Sequence, residues 1–336
     1  MTSSSLPMYP RRQDLAVGRS RPGRSAWLPI LVASATALAA MAFYNHRRAR
    51  EGEAAFPPMG RFITVDGVRL HYVEQGQGQP VVFLHGNGAM IQDFEHSRVL
   101  GLAAQRYRVI AFDRPGYGYS ERPRNRLWTP SDQAELMQKA FRQLGIEQPI
   151  VVGHSWGALV TMALATGHPL EIRGIVLLSG YFFPTLRKDV LLLSLLALPG
   201  LGDLLRHTIL PIAGRVLAPR LLRKLFAPSP VPGSFATYPI ELTVRPSQLR
   251  ASAEEYAVMT PTAALLARRY CEVALPTVII AGADDAIVDI NDHSLRLHHQ
   301  IRESCMVALP GQGHMPHHAS PDRVVAAINR LTGKVA

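Results

Sequence analysis

A serine between two glycines is the residue of this sequence best suited to nucleophilic chemistry. The segment Gly153-His154-Ser155-Trp156-Gly157 follows the apolar stretch PIVV and opens the helical stretch ALVTMALATGH. This strand–turn–helix pattern matches G-x-S-x-G, in which the serine occupies a cramped turn with strained backbone angles. A side chain at either glycine would collide with neighbouring backbone, and the following helix N-terminus adds partial positive charge. The pattern therefore predicts that Ser155 is an activated nucleophile.

Two glycine-containing turns with polar side chains occur earlier in the chain, each directly after an apolar stretch. His85-Gly86-Asn87-Gly88 follows PVVFL, and residues 113–120, DRPGYGYS, follow VIAF. The backbone N–H groups of a glycine-rich turn can donate hydrogen bonds to an oxyanion. We therefore predict an oxyanion-binding turn at 85–88 and a structured turn bordering the same site at 113–120.

The hydrophobic pattern predicts the scaffold that brings these turns together. Residues 61–74 alternate apolar and polar side chains around Asp66-Gly67, which indicates a β-hairpin. Short apolar runs then alternate with helical stretches such as 130–144 and 155–167, which indicates buried parallel strands in an α/β sheet covered on both faces. Functional residues of such sheets gather at the carboxyl ends of the strands. The predicted strands are Val81–Leu84, Val109–Phe112, Ile150–Val152, Ile175–Leu178 and Thr277–Ala281.

From about residue 61 to residue 332, the chain resembles the α/β-hydrolase superfamily, as a serine esterase- or lipase-like member with a cap domain. HGNG, DRPGYGYS and GHSWG carry this resemblance in the right order. Near the C-terminus, Gly282-Ala283-Asp284-Asp285 matches the family's G-x-x-D acid turn, and Gly313-His314 matches its catalytic G-H. The resemblance implies the α/β-hydrolase fold: a mostly parallel central sheet flanked by helices, with a helical cap inserted between strands.

The resemblance also implies a Ser-His-Asp triad. A serine hydroxyl is a weak nucleophile at neutral pH and needs a base that is itself oriented by a third group. Ser155 is the expected nucleophile, His314 the general base and later general acid, and Asp285 the group that orients the imidazole. The expected oxyanion donors are the backbone N–H groups of Asn87 and Trp156. The supporting turn residues are His85, Gly86, Gly88, Gly153 and Gly157.

Each of these roles has a rival residue or a simpler interpretation. Asp284 competes with Asp285, and His317 and His318 compete with His314, which only its G-H context separates from them. His85 is expected to brace its turn by hydrogen bonds, and His154 is expected to lie inside the elbow, facing away from the nucleophile. Two further simple roles are a loop or helix-cap function for Asp289 and wall packing for Trp156.

The type of nucleophile restricts the reaction. Haloalkane dehalogenases and epoxide hydrolases of this fold have aspartate at the elbow, so Ser155 argues against both activities. We expect hydrolysis of a carboxylic ester through an acyl-enzyme, on a small-molecule substrate and without a cofactor. The alternatives are carbon–carbon bond hydrolysis, cofactor-free perhydrolysis, and a catalytically silent, membrane-anchored binding protein.

The composition fits a folded enzyme that binds neither nucleic acid nor metal. The 336 residues are 47% hydrophobic, enough for a full core. Of the formal net charge of +11, +7 lies in the first 50 residues, so the remaining chain lacks the basic excess that nucleic-acid binding requires. Cys271 and Cys305 do not form a disulfide framework. No Cys/His cluster has zinc spacing, and the adjacent histidines at 298–299 and 317–318 are expected to point apart.

The N-terminus has the pattern of a membrane anchor. Residues 1–25 are basic and predicted to be disordered, whereas 26–44 are uncharged and apolar. A helix of that length spans roughly 28 Å, close to the thickness of a bilayer core. A single-pass anchor with an extracytoplasmic catalytic domain is expected; a cleaved signal peptide and a buried core helix are the alternatives.

The remaining chain is expected to form a linker at 45–60 and a hydrolase domain at 61–336. Residues 181–271 separate two predicted strands and are predicted to form a mostly helical cap. Its leucine-rich stretches are expected to pack on the core, and also to line an acyl pocket or contact the bilayer. An apolar, medium-chain acyl substrate is therefore expected.

Overall fold

A computed structural model describes residues 27–185 and 187–333. The chain divides into two compact units, Met1–Ala40 and Met41–Ala336. The predicted disordered segment 1–25 lies outside the described residues.

The first helix, α1, runs from Trp27 to Ala55, a length of 29 residues. The side chains of its N-terminal half are largely exposed, with Trp27 at 65% and Leu31 at 64%. Among the described residues, it is the one single helix long and apolar enough to cross a membrane. The exposure of these side chains argues against a buried core helix.

The C-terminal part of α1 departs from the predicted linker at 45–60, because the helix continues to Ala55. Asn45 is buried, and its Nδ2 donates to the carbonyl oxygens of Thr208 at 2.6 Å and His207 at 3.1 Å. Its Oδ1 accepts a hydrogen bond from Arg215 Nη1 at 2.7 Å. These tertiary contacts stabilise the C-terminal part of α1 as a helix, although its local sequence is polar and contains a glycine.

The body of Met41–Ala336 is built on an eight-stranded sheet with the order β1-β2-β4-β3-β5-β6-β7-β8. The predicted hairpin forms β1 and β2, β2 is antiparallel to β1 and β4, and the remaining strand pairs are parallel. The predicted apolar runs all lie in strands. The strands are β1 (Arg61–Val65), β2 (Val68–Gln75), β3 (Pro80–Leu84), β4 (Arg108–Phe112), β5 (Ile150–His154), β6 (Gly174–Leu178), β7 (Thr277–Gly282) and β8 (Ser304–Leu309).

Helices cover both faces of this sheet. They are α2 (Ile91–His96), α3 (Val99–Ala104), α4 (Pro130–Gln143), α5 (Trp156–Gly167), α6 (Lys188–Ser194), α7 (Leu201–His207), α8 (Ile209–Phe226), α9 (Ile240–Thr243), α10 (Pro246–Ala267), α11 (Arg296–Gln300), α12 (Pro316–Ala319) and α13 (Pro321–Thr332).

Successive side chains along a strand enter opposite cores. Val82 and Leu84 of β3 pack in the cluster that contains α4 and α5, whereas Val81 and Phe83 pack in the cluster that contains α3 and α13. This alternation follows from the two-residue period of a strand. Because both faces are covered, the interior positions of β3 to β7 are apolar, and polar residues that follow their carboxyl ends face a common edge.

The helical cap lies between β6 and β7, within the predicted range 181–271. It consists of α6 to α10, and α10 packs against α6 and against the short helical turn Leu195–Ala197. Helix α7 packs against that turn and against α8. The cap therefore follows the carboxyl ends of the parallel strands, above the edge where the predicted site residues converge.

Replacing Asn45 should weaken the docking of α1 on the cap. In Asn45→Ala the buried carbonyls of His207 and Thr208 lose their donor, which should lower the free energy of unfolding by about 1–3 kcal/mol. The measurement is chemical denaturation of the full chain in detergent micelles. His46→Ala, an exposed neighbour on the same helix, is the control. Equal stability of the two variants would contradict this docking.

Candidate active site

Ser155 lies on the turn between β5 and α5, with φ 52° and ψ −115°. Its backbone N–H donates to the Leu178 carbonyl oxygen at 2.9 Å, which fixes the turn to β6. A Cβ at Gly157 would lie 2.0 Å from the Leu84 oxygen, and one at Gly153 would lie 2.5 Å from the Gly157 oxygen. Both glycines are therefore required by close backbone approach, and the strained serine is held at the carboxyl end of the sheet.

Asp285 and His314 are brought together from the ends of β7 and β8. His314 Nδ1 lies 2.8 Å from Asp285 Oδ2. Asp285 Oδ1 accepts backbone N–H groups from Ile287 at 2.8 Å and Val288 at 2.9 Å. Burial would raise the pKa of Asp285, but His314 and these two N–H donors outweigh burial, so its pKa lies below the usual value. The carboxylate therefore stays ionised beside the imidazole.

The neighbouring aspartates have other contacts. Asp284 is exposed and its Oδ2 accepts the Gly311 N–H at 2.8 Å. Asp289 Oδ1 accepts the backbone N–H groups of Asn291 at 2.8 Å and Asp292 at 3.0 Å, in a turn that opens a helical segment. Only Asp285 of the three contacts His314.

The backbone of His314 is held from two sides. Its N–H donates to the Leu225 carbonyl oxygen of α8 at 3.0 Å, and its carbonyl oxygen lies 2.9 Å from His154 Nε2. A Cβ at Gly313 would lie 2.2 Å from the Ala227 oxygen, so the turn fits closely against the end of α8. His154 thus braces the histidine turn.

The turn 85–88 follows β3 and approaches the serine. A Cβ at Gly86 would lie 3.1 Å from Ser155 Cβ, and Gly88 adopts φ 72°. His85 is buried and braces this turn: its Nδ1 donates to the Gly86 oxygen at 2.8 Å, and its Nε2 accepts the Arg114 N–H at 3.0 Å. Burial, reinforced by the charge of Arg114, lowers the pKa of His85 to about 4, so the ring is neutral near pH 7.

Two backbone donors beside Ser155 are available to a ligand. Within residues 27–185 and 187–333, the N–H groups of Asn87 and Trp156 donate to no other group. One belongs to the turn that approaches Ser155 and the other to the first residue of α5. An oxygen bound between them would receive two hydrogen bonds and the partial positive charge of the helix N-terminus.

The Asn87 side chain is fully occupied by the cap. Its Nδ2 donates to Glu255 Oε2 at 3.0 Å and to the Ser252 carbonyl oxygen at 3.2 Å. Its Oδ1 accepts the Ser252 hydroxyl at 2.5 Å. These contacts join the turn 85–88 to α10, so the amide is not free to bind a ligand.

Glu255 is a fully buried carboxylate that the sequence did not identify. Its two oxygens accept Arg114 Nη1 at 2.5 Å, Arg114 Nη2 at 3.2 Å, Tyr117 OH at 2.7 Å and Gln133 Nε2 at 3.0 Å. Burial would raise the pKa of this carboxyl, but Arg114 outweighs burial and the pKa lies below its ordinary value. The turn 113–120 therefore borders the site by anchoring a residue of the cap.

A second buried carboxylate, Asp93, lies beneath the site and was also missed. His317 Nε2 lies 3.1 Å from its Oδ2, and His318 Nε2 lies 2.8 Å from its Oδ1. The adjacent rings were expected to point apart, but both reach the same carboxylate because α12 is only four residues long and the chain turns around Asp93. Burial lowers the pKa of His317 and of His154, so both rings are neutral near pH 7.

Asp93, His154 and His317 are also the residues with the geometry closest to a metal site. One ligand atom from each lies within 4.8 Å of the others, and all three residues are buried. The carboxylate already accepts hydrogen bonds from two imidazoles, and His154 already contacts the His314 carbonyl. These contacts engage the carboxylate and one nitrogen of each ring in hydrogen bonds that support the histidine turn.

Ser155, His314 and the turn 85–88 line one cavity of about 440 Å³. Its opposite wall is apolar and comes from the cap. The cap side chains that line it include Leu193, Leu196, Leu210, Leu217, Leu221, Leu222, Leu225 and Met259. A group bound against Ser155 would therefore place its remainder in an apolar space.

The comparisons with known proteins agree with this architecture. Residues 79–321 match the family described as the alpha/beta hydrolase fold. Haloalkane dehalogenase 2 of Mycobacterium tuberculosis (strain ATCC 25618 / H37Rv) is 27% identical over 286 residues, covering 81% of this chain and 94% of that protein. The 2-hydroxymuconate semialdehyde hydrolase of Pseudomonas putida is 35% identical over 130 residues, covering 38% of this chain and 46% of that protein.

Among solved structures, a membrane phospholipase A described as a bacterial virulence factor has a similar fold. It is 21% identical, with a TM-score of 0.65 over 92% of this chain and 97% of that one. At this identity the likeness concerns the fold.

Replacing Glu255 should destabilise the protein strongly. Glu255→Gln leaves the buried Arg114 guanidinium without its counter-charge, and breaking a buried pair costs about 3–5 kcal/mol. Urea denaturation of the full chain in detergent measures this loss. Glu272→Gln removes the same charge from an exposed pair with Arg269 and should cost less than about 1 kcal/mol. Equal losses in the two variants would show that the buried pair does not hold the cap.

Proposed function

The chain belongs to the alpha/beta hydrolase fold family, and on that premise we propose that it is a serine hydrolase that cleaves a carboxylic ester with an apolar acyl group. The observation that carries the proposal is the pairing of His314 with Asp285 at 2.8 Å in the cavity that Ser155 also lines. A hydroxyl on a strained turn, an oriented imidazole and an ionised carboxylate form a nucleophile, a base and an orienting group.

The first half-reaction would form an acyl-enzyme. Ser155 Oγ attacks the ester carbonyl carbon while His314 Nε2 takes the hydroxyl proton. The carbonyl oxygen becomes an oxyanion, which accepts hydrogen bonds from the N–H groups of Asn87 and Trp156; each such donor typically contributes about 3–4 kcal/mol of transition-state stabilisation. His314 then gives its proton to the leaving alcohol as the carbon–oxygen bond breaks.

The second half-reaction would release the acid. A water molecule gives a proton to His314 and attacks the acyl carbon, and the proton returns to Ser155 Oγ as the acyl-enzyme bond breaks. Asp285 stabilises the imidazolium in both halves and keeps Nδ1 protonated between them. Among the described residues, the Ser155 hydroxyl forms no hydrogen bond, so the proposed step requires this hydroxyl to come within hydrogen-bond reach of His314 Nε2.

The relatives include hydrolases that act on bonds other than carboxylic esters. Cleavage of a carbon–carbon bond is the second candidate, because the P. putida hydrolase is 35% identical over 130 residues. A Ser-His-Asp site can serve either reaction, and turnover of ester and diketone substrates separates them. Dehalogenation is disfavoured because Ser155 is not a carboxylate and the Asn87 amide is bound to Glu255 and Ser252.

We also propose that α1 anchors the enzyme as a single membrane span. The apolar run of the sequence is uncharged from residue 26 to residue 44 and has Trp27 and Tyr44 near its ends, where amphipathic rings favour the interface. Five arginines precede this run and three follow it closely. The excess on the N-terminal side favours a cytoplasmic N-terminus and an extracytoplasmic catalytic domain.

A fluorophosphonate probe tests the nucleophile and its support. The wild-type chain should be labelled, Ser155→Ala should not, and Asp285→Asn should lower kcat/KM for a p-nitrophenyl ester by about a thousandfold or more. Asp284→Asn is the matched control and should stay close to wild type, because that carboxylate binds only the Gly311 N–H. Absence of labelling in folded wild-type protein would favour a silent binding protein. An equal loss in both aspartate variants would refute the assignment of Asp285.

A chain-length series tests the acyl pocket. Each buried CH₂ contributes about 0.8 kcal/mol, so octanoyl esters should exceed acetyl esters in kcat/KM by at least about tenfold. The series uses p-nitrophenyl esters with the same leaving group, at concentrations below micelle formation. Equal turnover of acetyl and octanoyl esters would contradict an apolar acyl pocket.

A further inference from the structure

The cap exposes a continuous series of leucines on α6, the turn Leu195–Ala197 and α7. We define the leucine surface as Leu191, Leu192, Leu195, Leu198, Leu201 and Leu204, which are between 46% and 70% exposed. Packing on the core does not explain these side chains, because each leaves about half or more of its area in solvent. Exposed apolar area of this kind marks a contact with a partner or a membrane.

The two helical segments that carry this surface have the composition of a membrane-inserted hairpin. Val190–Ala197 and Leu201–His207 together are long and apolar enough for a broken span or re-entrant loop, with a bend of 99° between them. Their charged residues are partly neutralised, because Asp203 pairs with both Arg206 and Arg124. The hairpin can therefore lie in the boundary region of a bilayer without burying a lone charge.

The leucine surface adjoins the opening of the cavity. Leu193 and Leu196 alternate with the exposed leucines and line the cavity. Leu217 and Leu221 of α8 line it too and are themselves 51% and 55% exposed, which places them at its mouth. An acyl chain that leaves a lipid layer at this surface would meet apolar side chains along its path to Ser155.

The apolar run of α1 ends at Tyr44, directly before a residue that contacts the cap. Tyr44 is the last residue of the apolar run, and the next residue, Asn45, is bonded to Thr208 and His207 at the junction of α7 and α8. If the apolar run spans a bilayer, the chain leaves it at Tyr44, so this junction lies at the interface. The contact therefore joins the junction of α7 and α8 to the residue that directly follows the apolar run.

Basic side chains flank the mouth of the cavity. Arg220, Arg223 and Lys224 of α8 are exposed and form no ion pair with any described residue. Their charges suit anionic lipid headgroups, with each basic residue near such a surface contributing attraction. Apolar side chains beside unpaired cations are the pattern of a surface that lies in a bilayer interface.

We propose that the leucine surface inserts into the lipid bilayer that holds α1 and that the cavity takes acyl substrates directly from it. The substrate class is then a bilayer-resident lipid ester, a refinement that rests on the proposed ester hydrolysis. The bilayer is favoured over a second copy of the chain because Asn45, which directly follows the apolar run, contacts the α7–α8 junction, and because α8 carries both the exposed cations and leucines at the cavity mouth.

Photocrosslinking tests the surface without reference to activity. The full chain carries p-benzoylphenylalanine at position 195 or, as the control, at position 170, in vesicles of phosphatidylcholine and phosphatidylglycerol. Leu170 is 88% exposed and precedes β6, at the opposite edge of the sheet from the cap. Position 195 should form at least about fivefold more lipid adducts than position 170. Equal adducts at both positions, or protein dimers in place of lipid adducts at 195, would overturn the proposal.

A second experiment tests substrate entry. Leu192→Glu/Leu195→Glu places charges on the leucine surface without altering residues that line the cavity. In vesicles it should hydrolyse a bilayer-resident phospholipid at least about tenfold more slowly than wild type, yet a soluble p-nitrophenyl butyrate within about twofold of wild type. Leu170→Glu should leave both rates unchanged.

The outcomes separate the two proposals. Equal losses on both substrates, or no loss on either, would overturn entry from the bilayer. A wild-type chain that cleaves neither ester would refute the proposed ester hydrolysis, while the crosslinking result would still decide whether the leucine surface lies in lipid.

Discussion

The carboxylate of Glu255 is the interaction on which the arrangement of the site depends. It belongs to α10 of the cap, yet it is fully buried among donors of the core: Arg114, Tyr117, Gln133 and Asn87. A buried carboxylate is costly unless its lone pairs are satisfied, so these donors and the cap require one another. The position of the turn 85–88 is thereby set partly by a residue of the cap.

The histidine turn is tied to the cap in the same way. The His314 N–H donates to the Leu225 oxygen, and Gly313 leaves room for the Ala227 oxygen, both at the end of α8. The cap thus contacts the turn 85–88, the proposed oxyanion-binding turn, through α10 and the proposed base through α8. Movement of the whole cap would disturb both, whereas local movement of α6 and α7 would leave both contacts in place. Entry of substrate beside the leucine surface is compatible with an intact site.

Local sequence patterns predicted the features that depend on neighbouring residues alone, namely the strands and the turn at Ser155. Apolar runs bounded by turn residues located the strands, and the two glycines around Ser155 located the elbow, because backbone crowding there excludes side chains. Family spacing favoured Asp285 over Asp284, and the contact with His314 distinguishes them in space. Sequence alone could not make that distinction, since the two carboxylates are adjacent and only their directions differ.

Contacts between residues that are far apart in the sequence could not be predicted from local patterns. Glu255 lies 141 residues from Arg114, and in sequence it is one of two adjacent acids on a helix of mixed composition. Asp93 lies 224 residues from His317. Likewise, the helix continues past residue 45 because Asn45 finds partners on the cap, which the polar local sequence does not indicate. Whether a charged or polar side chain is buried depends on the partners that the fold brings to it. The roles of these residues can therefore be recognised only from the structure.

The type of nucleophile relates the contacts around His314 to the difference in proposed reaction between this chain and the haloalkane dehalogenase that it resembles. A carboxylate nucleophile is already ionised, whereas Ser155 must lose a proton to a base in the same step as its attack. The chemistry proposed here therefore demands a well-oriented His314, and three contacts hold it in place: Asp285 on Nδ1, Leu225 on the backbone N–H and His154 on the carbonyl. Glu255 and Ser252 hold the Asn87 side-chain amide, and these contacts also fix the residue that supplies the backbone N–H. Both features favour acyl transfer to a serine over displacement of a halide by a carboxylate.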